Sequence, residues 1–421
     1  MIINNSNINR NFKTIGVSSF WSNCVEKELK MHKIHSYPAK FPSLLVNKSL
    51  EYAKNRNISV NTISDIFCGC GTTALEAKKN SLNFWGCDIN PVATLIARVK
   101  SKQYNKKTLK KYYDDIIASI ENNEELIDNE IQYNERINYW FHESQVLDLN
   151  ILLSSIESVV PKGKYRDFFL VAFSNILKKT SKWLMKSIKP QIDPNKEIYD
   201  VKSTFISQFK LMYNANEDAI DNYKSISEIK IETKNFLTYK VNQEFVDMVV
   251  TSPPYVTSYE YADLHQLSTL WLEYSNDYKT FRKGTIGSLY HNDSNDIENI
   301  PSVGRDIYYK MFKSDKRKAK SVGKYFKDMN EVVSKVYKMI NKGGLAIFVI
   351  GNTKYLDVEI DNAKFLSSCM LLHGFKEIDV AKRKISSKIL SPYRDKNGRF
   401  TNNKNDKKVY SHEFILIGIK E

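Results

Sequence analysis

An α/β chain built on a doubly wound, mostly parallel sheet is the architecture expected here, on three observations. A short apolar run, NTISDIF (61–67), ends at a glycine turn and leads into helix-forming TTALEAKKN (72–80). The unit repeats at once. LNFWGCD (82–88) reads as a strand and Pro91 opens a second helix, PVATLIARVKS, since proline is tolerated where a first-turn N–H has no partner anyway. Strand–helix–strand–helix with short links implies parallel strands, and the same texture returns late in the chain, closing on two segments that suit an antiparallel edge hairpin.

Taking the remaining elements in order, residues 103 to 225 almost lack glycine and show helical spacing in KKTLKKYYDDIIASIE, ESQVLDLNILLSSIESVV and YRDFFLVAFSNILKKTSKWLMKSI. This stretch is expected to be a helical insert, 102–225, serving target recognition or dimerisation. Its aromatics Trp140, Phe141, Phe168, Phe169, Phe173 and Trp183 suit a helix–helix core better than a stacking platform. Strands are expected at ISEIKIET (within 225–233), FVDMVVT (245–251) and GGLAIFVIGN (343–352). Helices are expected at 259–274, 324–341 and 361–373, and the hairpin at FKEIDVAKRKI and SHEFILIGIK. The sheet-bearing parts, 1–101 and 226–421, form the expected catalytic domain.

A length of 421 residues allows one catalytic domain plus an insert or second lobe, and 42 % hydrophobic residues allow a sizeable core. A net charge of +15 favours a polyanionic partner, nucleic acid first and a membrane surface second. No basic amphipathic stretch supports the second. No apolar run approaches the roughly 20 residues that span a bilayer, and MIINNSNINRNFK has no apolar core to act as a secretory signal. Five cysteines, Cys24, Cys68, Cys70, Cys87 and Cys369, make neither a disulfide framework nor a zinc spacing. A cytoplasmic protein without a metal is expected. The basic stretches 275–325 and 385–410 are candidate DNA contacts, with Tyr393, Arg394, Arg399 and Phe400 mixing charge and rings.

Two motifs carry chemistry. In DIFCGCGTTALEA (65–77), Gly69 and Gly71 sit between a strand and a helix, where glycine allows a sharp turn and close ligand approach. The helix start adds unpaired amides and a positive dipole end. Ala74 replaces the third glycine of a dinucleotide fingerprint, which favours S-adenosylmethionine over a nicotinamide cofactor. Asp88, closing the next strand, suits two ribose hydroxyls; its alternative use is as cap of the helix at Pro91. The second motif is Thr251-Ser252-Pro253-Pro254-Tyr255. Two prolines fix a rigid turn without amide donors. Ser252 Oγ and the Pro253 carbonyl could then accept both hydrogens of an exocyclic amine. Those bonds free a lone pair otherwise delocalised into the ring, and Tyr255 offers a face to stack an extruded base. Carbon-5 cytosine methylation needs a thiolate nucleophile, and none of the five cysteines follows a proline as that reaction's nucleophile does.

At DIFCGCGTT and TSPPY the chain resembles the amino-methyltransferases of bacterial restriction–modification systems, of the cytosine-N4/adenine-N6 kind. HSYPAKFPSLLVNKSLEYA (35–53) is similar to the segment that packs beside the methionine end of their cofactor. The resemblance covers roughly 31–101 and 226–421. It implies a Rossmann-like class I methyltransferase fold and S-adenosylmethionine as cofactor. The implied cofactor residues are Lys40, Phe41, Pro42, Asp65, Phe67, Gly69, Gly71, Thr72, Thr73, Asp88, Ile89, Asn235 and Thr251. The implied catalytic residues are Ser252, Pro253, Pro254 and Tyr255. Serine at the first catalytic position is typical of enzymes modifying the 4-amino group of cytosine in DNA, and adenine-N6 is the alternative. Guanine-N2 methylation of RNA and a non-catalytic DNA-binding subunit are further alternatives. Double-stranded DNA is the expected partner, with a cognate restriction endonuclease beside it. His35 reads as a structural hydrogen-bonding residue rather than a base.

Overall fold

The structure is a computed structural model. It describes residues 12–22, 27–123, 134–187, 189–223, 227–256, 261–289, 297–385, 393–394, 400–401, 403, 407–408 and 411–421. Seven strands make the main sheet: β1 Thr62–Asp65, β2 Asn83–Asp88, β3 Ile229–Thr233, β4 Val246–Thr251, β5 Ile340–Ile350, β6 Lys376–Lys384 and β7 His412–Ile419. Their order is β3-β2-β1-β4-β5-β7-β6. Strands β1 to β5 pair in parallel, and β7 is antiparallel to both β5 and β6. This is the Rossmann-like arrangement that the resemblance implied. β7 is inserted between β5 and β6, so the C-terminal pair closes one side of the sheet with β6 on the edge.

The helices are α1 Ser43–Asn55, α2 Thr72–Lys79, α3 Pro91–Lys100, α4 Lys106–Asn123, α5 Glu143–Val159, α6 Lys164–Ile176, α7 Val201–Asn222, α8 Ser302–Phe312, α9 Lys316–Met339 and α10 Asn362–Leu372. Period-two burial sorts them onto two faces. In β5, Leu345, Ile347 and Val349 join the core under α1 and α2, while Ala346, Phe348 and Ile350 join the core under α8, α9 and α10.

The 102–225 stretch builds α4 to α7, and it does not stand off as a lobe. Its aromatics Trp140, Phe141, Phe168, Phe169, Phe173 and Trp183 are all buried. They share one core with Val92, Leu95, Ile96 and Val99 of α3 and with Leu267, Leu270 and Trp271. No helix among the described residues is long and apolar enough to cross a membrane.

Three helices depart from expectation. α8 lies wholly inside 275–325, which was expected only as a basic stretch. α9 starts at Lys316, inside the stretch KSDKRKAKSVGK that composition marked as polar. The cause is an apolar stripe, Ala319, Val322, Gly323 and Phe326, buried between the lysines, with Asp315 capping through a bond from the Lys318 amide. The helix expected over 259–274 is two short pieces, Tyr261–Leu264 and Gln266–Trp271, and residues 257–260 lie outside the described residues. The break at His265 lets the Gln266 carboxamide oxygen accept from Arg136 Nε and Trp140 Nε1 at 3.0 and 2.9 Å.

Gly71 is required twice over. Its φ is +78°, and a Cβ there would sit 2.6 Å from the Ala97 Cβ. Gly71→Ala is therefore expected to cost about 2 kcal/mol from overpacking and positive φ together, read as a lower urea midpoint at unchanged m-value.

Candidate functional site: a cofactor cleft at the sheet's reversal point

Strand order reverses between β1 and β4, so the loops leaving their C-terminal ends diverge and open a crevice. Both sequence motifs start there. Asp65, the last residue of β1, accepts from Thr251 Oγ1 at the end of β4 at 2.7 Å, from Thr73 Oγ1 on α2 at 2.9 Å and from the Phe67 amide at 3.1 Å. Desolvation of the buried carboxyl pushes its pKa up to about 6, against the pull of those three bonds.

The loop continues through Gly69 and Gly71, both at positive φ, into α2. No side chain caps that helix start, and Thr72 Oγ1 is buried without a protein partner. The Asp88 carboxylate at the end of β2 accepts from the Gly69 amide through Oδ2 and from the Asn90 amide through Oδ1, each at 2.9 Å. Asn90, not Asp88, caps α3: its side chain accepts from the Val92 and Ala93 amides. Asp88 thus keeps one lone pair on each oxygen for a ligand. Free helix-start amides, an orphan hydroxyl and a two-oxygen acceptor at adjoining strand ends fit S-adenosylmethionine.

The far wall is built after β3. Asn235 donates from Nδ2 to the Gly284 carbonyl at 3.0 Å and accepts the Leu237 amide. A Cβ on Gly284 would meet Asn235 Nδ2 at 2.8 Å and Ile89 Cδ1 at 3.6 Å. Asn235 and Ile89 therefore both lie beside Gly284, in a segment that no motif announced. Phe67 packs partly buried in the core on the α9 side.

The segment holding Lys40, Phe41 and Pro42 leads into α1. Lys40 Nζ donates to Glu28 Oε2 at 2.9 Å, Phe41 packs on the α1–α2 side and Pro42 precedes α1. Desolvation raises the Glu28 carboxyl, but the Lys40 bond and charge outweigh it and leave it below its ordinary value. The neighbour of Gly69 from this segment is Tyr37, which sequence reasoning passed over. A Cβ on Gly69 would lie 3.4 Å from its hydroxyl, and its ring stacks on His265 at 5.0 Å.

In the tetrapeptide, Ser252 Oγ donates to the Val349 carbonyl of β5 at 3.1 Å, and Pro253 is buried. Pro254 is partly buried, between Pro253 and Tyr255. Tyr255 lies against Gly351, where a Cβ would come within 3.3 Å of its ring. Its hydroxyl donates to Glu413 Oε1 of β7 at 3.0 Å, and Arg383 Nε approaches Glu413 Oε2 at 3.4 Å. Gly351 and Glu413 were not legible as site residues, because only the sheet brings 255, 351 and 413 together. Tyr393, Arg394 and Phe400 lie on short strands of a separate three-stranded sheet, and Arg399 lies outside the described residues.

Protonated Asp65 contributes stability that is fully present below its unfolded value near 3.8 and is lost as pH rises through about 6. Urea midpoints are therefore expected to fall between about pH 4 and about pH 6.5, and Asp65→Asn is expected to flatten that part of the profile. An unchanged slope in the variant would assign the pH dependence to other groups.

Comparison with known proteins agrees with this geometry. Residues 4–98 match the DNA methylase family. The chain is 23 % identical to the Type II methyltransferase M.MvaI of Kocuria varians, over 86 % of this chain and 85 % of that one. It is 23 % identical to M.BsoBI of Geobacillus stearothermophilus, over 84 % of this chain and 80 % of the relative. Over 22 % of the chain and 17 % of the relative it is 38 % identical to M.MjaII of Methanocaldococcus jannaschii. With cofactor loop, acceptor residues, tetrapeptide and sheet order in one chain, the protein is similar to the DNA amino-methyltransferases of restriction–modification systems, and its cleft fits S-adenosylmethionine as methyl donor.

Proposed function

We propose that the protein methylates the 4-amino group of cytosine in double-stranded DNA, as the modification partner of a restriction endonuclease. The observation that carries the reading is the state of Ser252. Its single hydroxyl hydrogen is committed to the Val349 carbonyl, so toward the cleft the oxygen is an acceptor only. An acceptor-only hydroxyl beside the Pro253 carbonyl suits an amine that must give two N–H bonds. It does not suit nucleophilic attack, which would need a base to take that hydrogen.

Bound S-adenosylmethionine supplies an electrophilic sulfonium methyl group. Asp88 holds the ribose hydroxyls through its two remaining lone pairs, and Gly69, Gly71, Thr72 and Thr73 let backbone and hydroxyls close on the donor. Ile89 and Asn235 flank the adenine, while Asp65 and Thr251 act one layer back, fixing the two loops to each other. Lys40, Phe41 and Pro42 border the methionine end. Ser252 Oγ and the Pro253 carbonyl accept the amine hydrogens, which draws nitrogen density out of the ring and toward the methyl. Pro254 keeps the turn rigid, and Tyr255, pinned by Glu413, stacks the base. A paired amine cannot be reached in line, so the base leaves the duplex.

The net charge of +15 and the exposed Lys313, Lys316, Arg317 and Lys320 at the start of α9 supply phosphate contacts. Serine at the first position favours cytosine. Adenine-N6 is the second reading, because adenine presents the same two donors.

Ser252→Ala and Tyr255→Ala are each expected to lower methyl transfer by about a hundredfold or more while cofactor binding persists. Labelled S-adenosylmethionine with unmethylated DNA, followed by nucleoside mass analysis, reads both the loss and the base. Label on adenine would overturn the choice of base, and label appearing in RNA but not DNA would overturn the polymer.

A further inference from the structure

The 29–37 segment runs along the outside of the cofactor loop and ends with Tyr37 against Gly69. Most of what holds it comes from the helical stretch. The Lys30 amide donates to Asp218 Oδ2 of α7 at 2.8 Å. Gln208 Nε2 of α7 donates to the Ile34 carbonyl at 2.7 Å. The Ser36 amide donates to Asn175 Oδ1 of α6 at 2.9 Å, and Asn175 Nδ2 donates to Gln208 Oε1 at 2.7 Å. One bond comes from the sheet side: His32 Nε2 meets Glu76 Oε1 of α2 at 2.7 Å.

A further bond, from His35, has a readable direction. His35 Nδ1 lies 3.2 Å from the Ser36 carbonyl, which can only accept, so Nδ1 carries the hydrogen. Burial holds the imidazole neutral, its pKa pushed down to about 3. Nε2 is then an acceptor, and Ser174 of α6 donates to it at 2.9 Å. That leaves Ser174 Oγ to accept from Ser268 Oγ at 2.8 Å. One buried hydroxyl thus joins the cofactor-side segment, α6 and the helix that follows the catalytic tetrapeptide. The neighbour of that helix, His265, forms the other half of the Tyr37 stack.

From this arrangement we infer that α6 and α7 are part of the frame of the cofactor pocket: Ser174, Asn175 and Gln208 are positioning residues that set Tyr37 over Gly69. Tyr37 is placed to close the donor's side of the cleft, and the helices do for it what β1 and β4 do for Asp65. The inference rests on S-adenosylmethionine being the donor and on nothing about which base or polymer is methylated. It goes against assigning 102–225 wholly to DNA reading or dimerisation.

The test uses the full chain and measures S-adenosylmethionine binding without DNA, and DNA affinity and KM separately. Ser174→Ala and Asn175→Leu are expected to raise the Kd for S-adenosylmethionine about tenfold, the loss of one or two well-placed bonds, with KM for DNA unchanged. Asn175→Asp keeps the acceptor for the Ser36 amide but turns a carboxylate oxygen toward Gln208 Oε1, and is expected to recover part of that loss. Cofactor Kd at the wild-type value in both disruptive variants would overturn the inference. So would a fall in DNA affinity with cofactor binding intact, which is the signature of a target-reading element. Equal weakening in Asn175→Asp and Asn175→Leu, tracking a common fall in Tm, would also overturn it by reducing the network to bulk stability.

Discussion

A single buried carboxylate, Asp65, holds the reversal point of the sheet together. Removing it from water is costly, and the two hydroxyls and one amide that it accepts recover part of that cost. Each of those donors belongs to a different piece: the loop after β1, the first turn of α2 and the end of β4. The cofactor loop and the tetrapeptide are therefore not two sites that happen to be neighbours. Both are tied to the same side chain, the Phe67 amide and the Thr251 hydroxyl through one oxygen, Oδ1. The positive-φ glycines and the rigid Ser-Pro-Pro turn would have no fixed relation without it.

Around that point, a different layer supplies each function. Strand ends present the polar acceptors Asp88 and Ser252. Segment 261–287 lines the cleft from the tetrapeptide side, touching Tyr37 through His265 and Asn235 through Gly284. The helical stretch stands behind it, joined through the Gln266 carboxamide and the Ser174 hydroxyl. Polar groups buried in this layer are satisfied by side chains from distant parts of the chain, which specifies one arrangement more strictly than apolar packing alone.

The sheet was legible from sequence because its signals are local. Apolar runs closed by glycine or proline marked β1, β2, β4 and β5, and Gly69, Gly71 and Asp88 announced the cleft by spacing. What stayed hidden has one physical cause, contact between residues far apart in the chain. Lys316 to Lys320 look like a loop until the stripe from Ala319 to Phe326 finds its core. Tyr37, Gly351 and Glu413 acquire roles only when the sheet closes. Helix capping, the alternative use of Asp88, falls instead to Asn90, two residues away, whose side chain takes the capping bonds. The aromatics of the helical stretch were read correctly as core, but not that this core continues into α3.

The position of β7 has a consequence for how such a molecule matures. A chain emerging from the ribosome N-terminus first completes β1, β2, the cofactor loop and the helical stretch early. β5 then waits with a bare hydrogen-bonding edge, and β6 has nowhere to dock, until residues 412–419 arrive to fill the gap between them. Strand pairing over such separations is slow, and open edges are prone to pair wrongly. Glu413 comes with that last strand, so the brace on Tyr255 is among the final contacts to form. The cofactor-loop side of the crevice is thus assembled before the brace on Tyr255, and the β5 edge is open to wrong pairing until the last strand arrives.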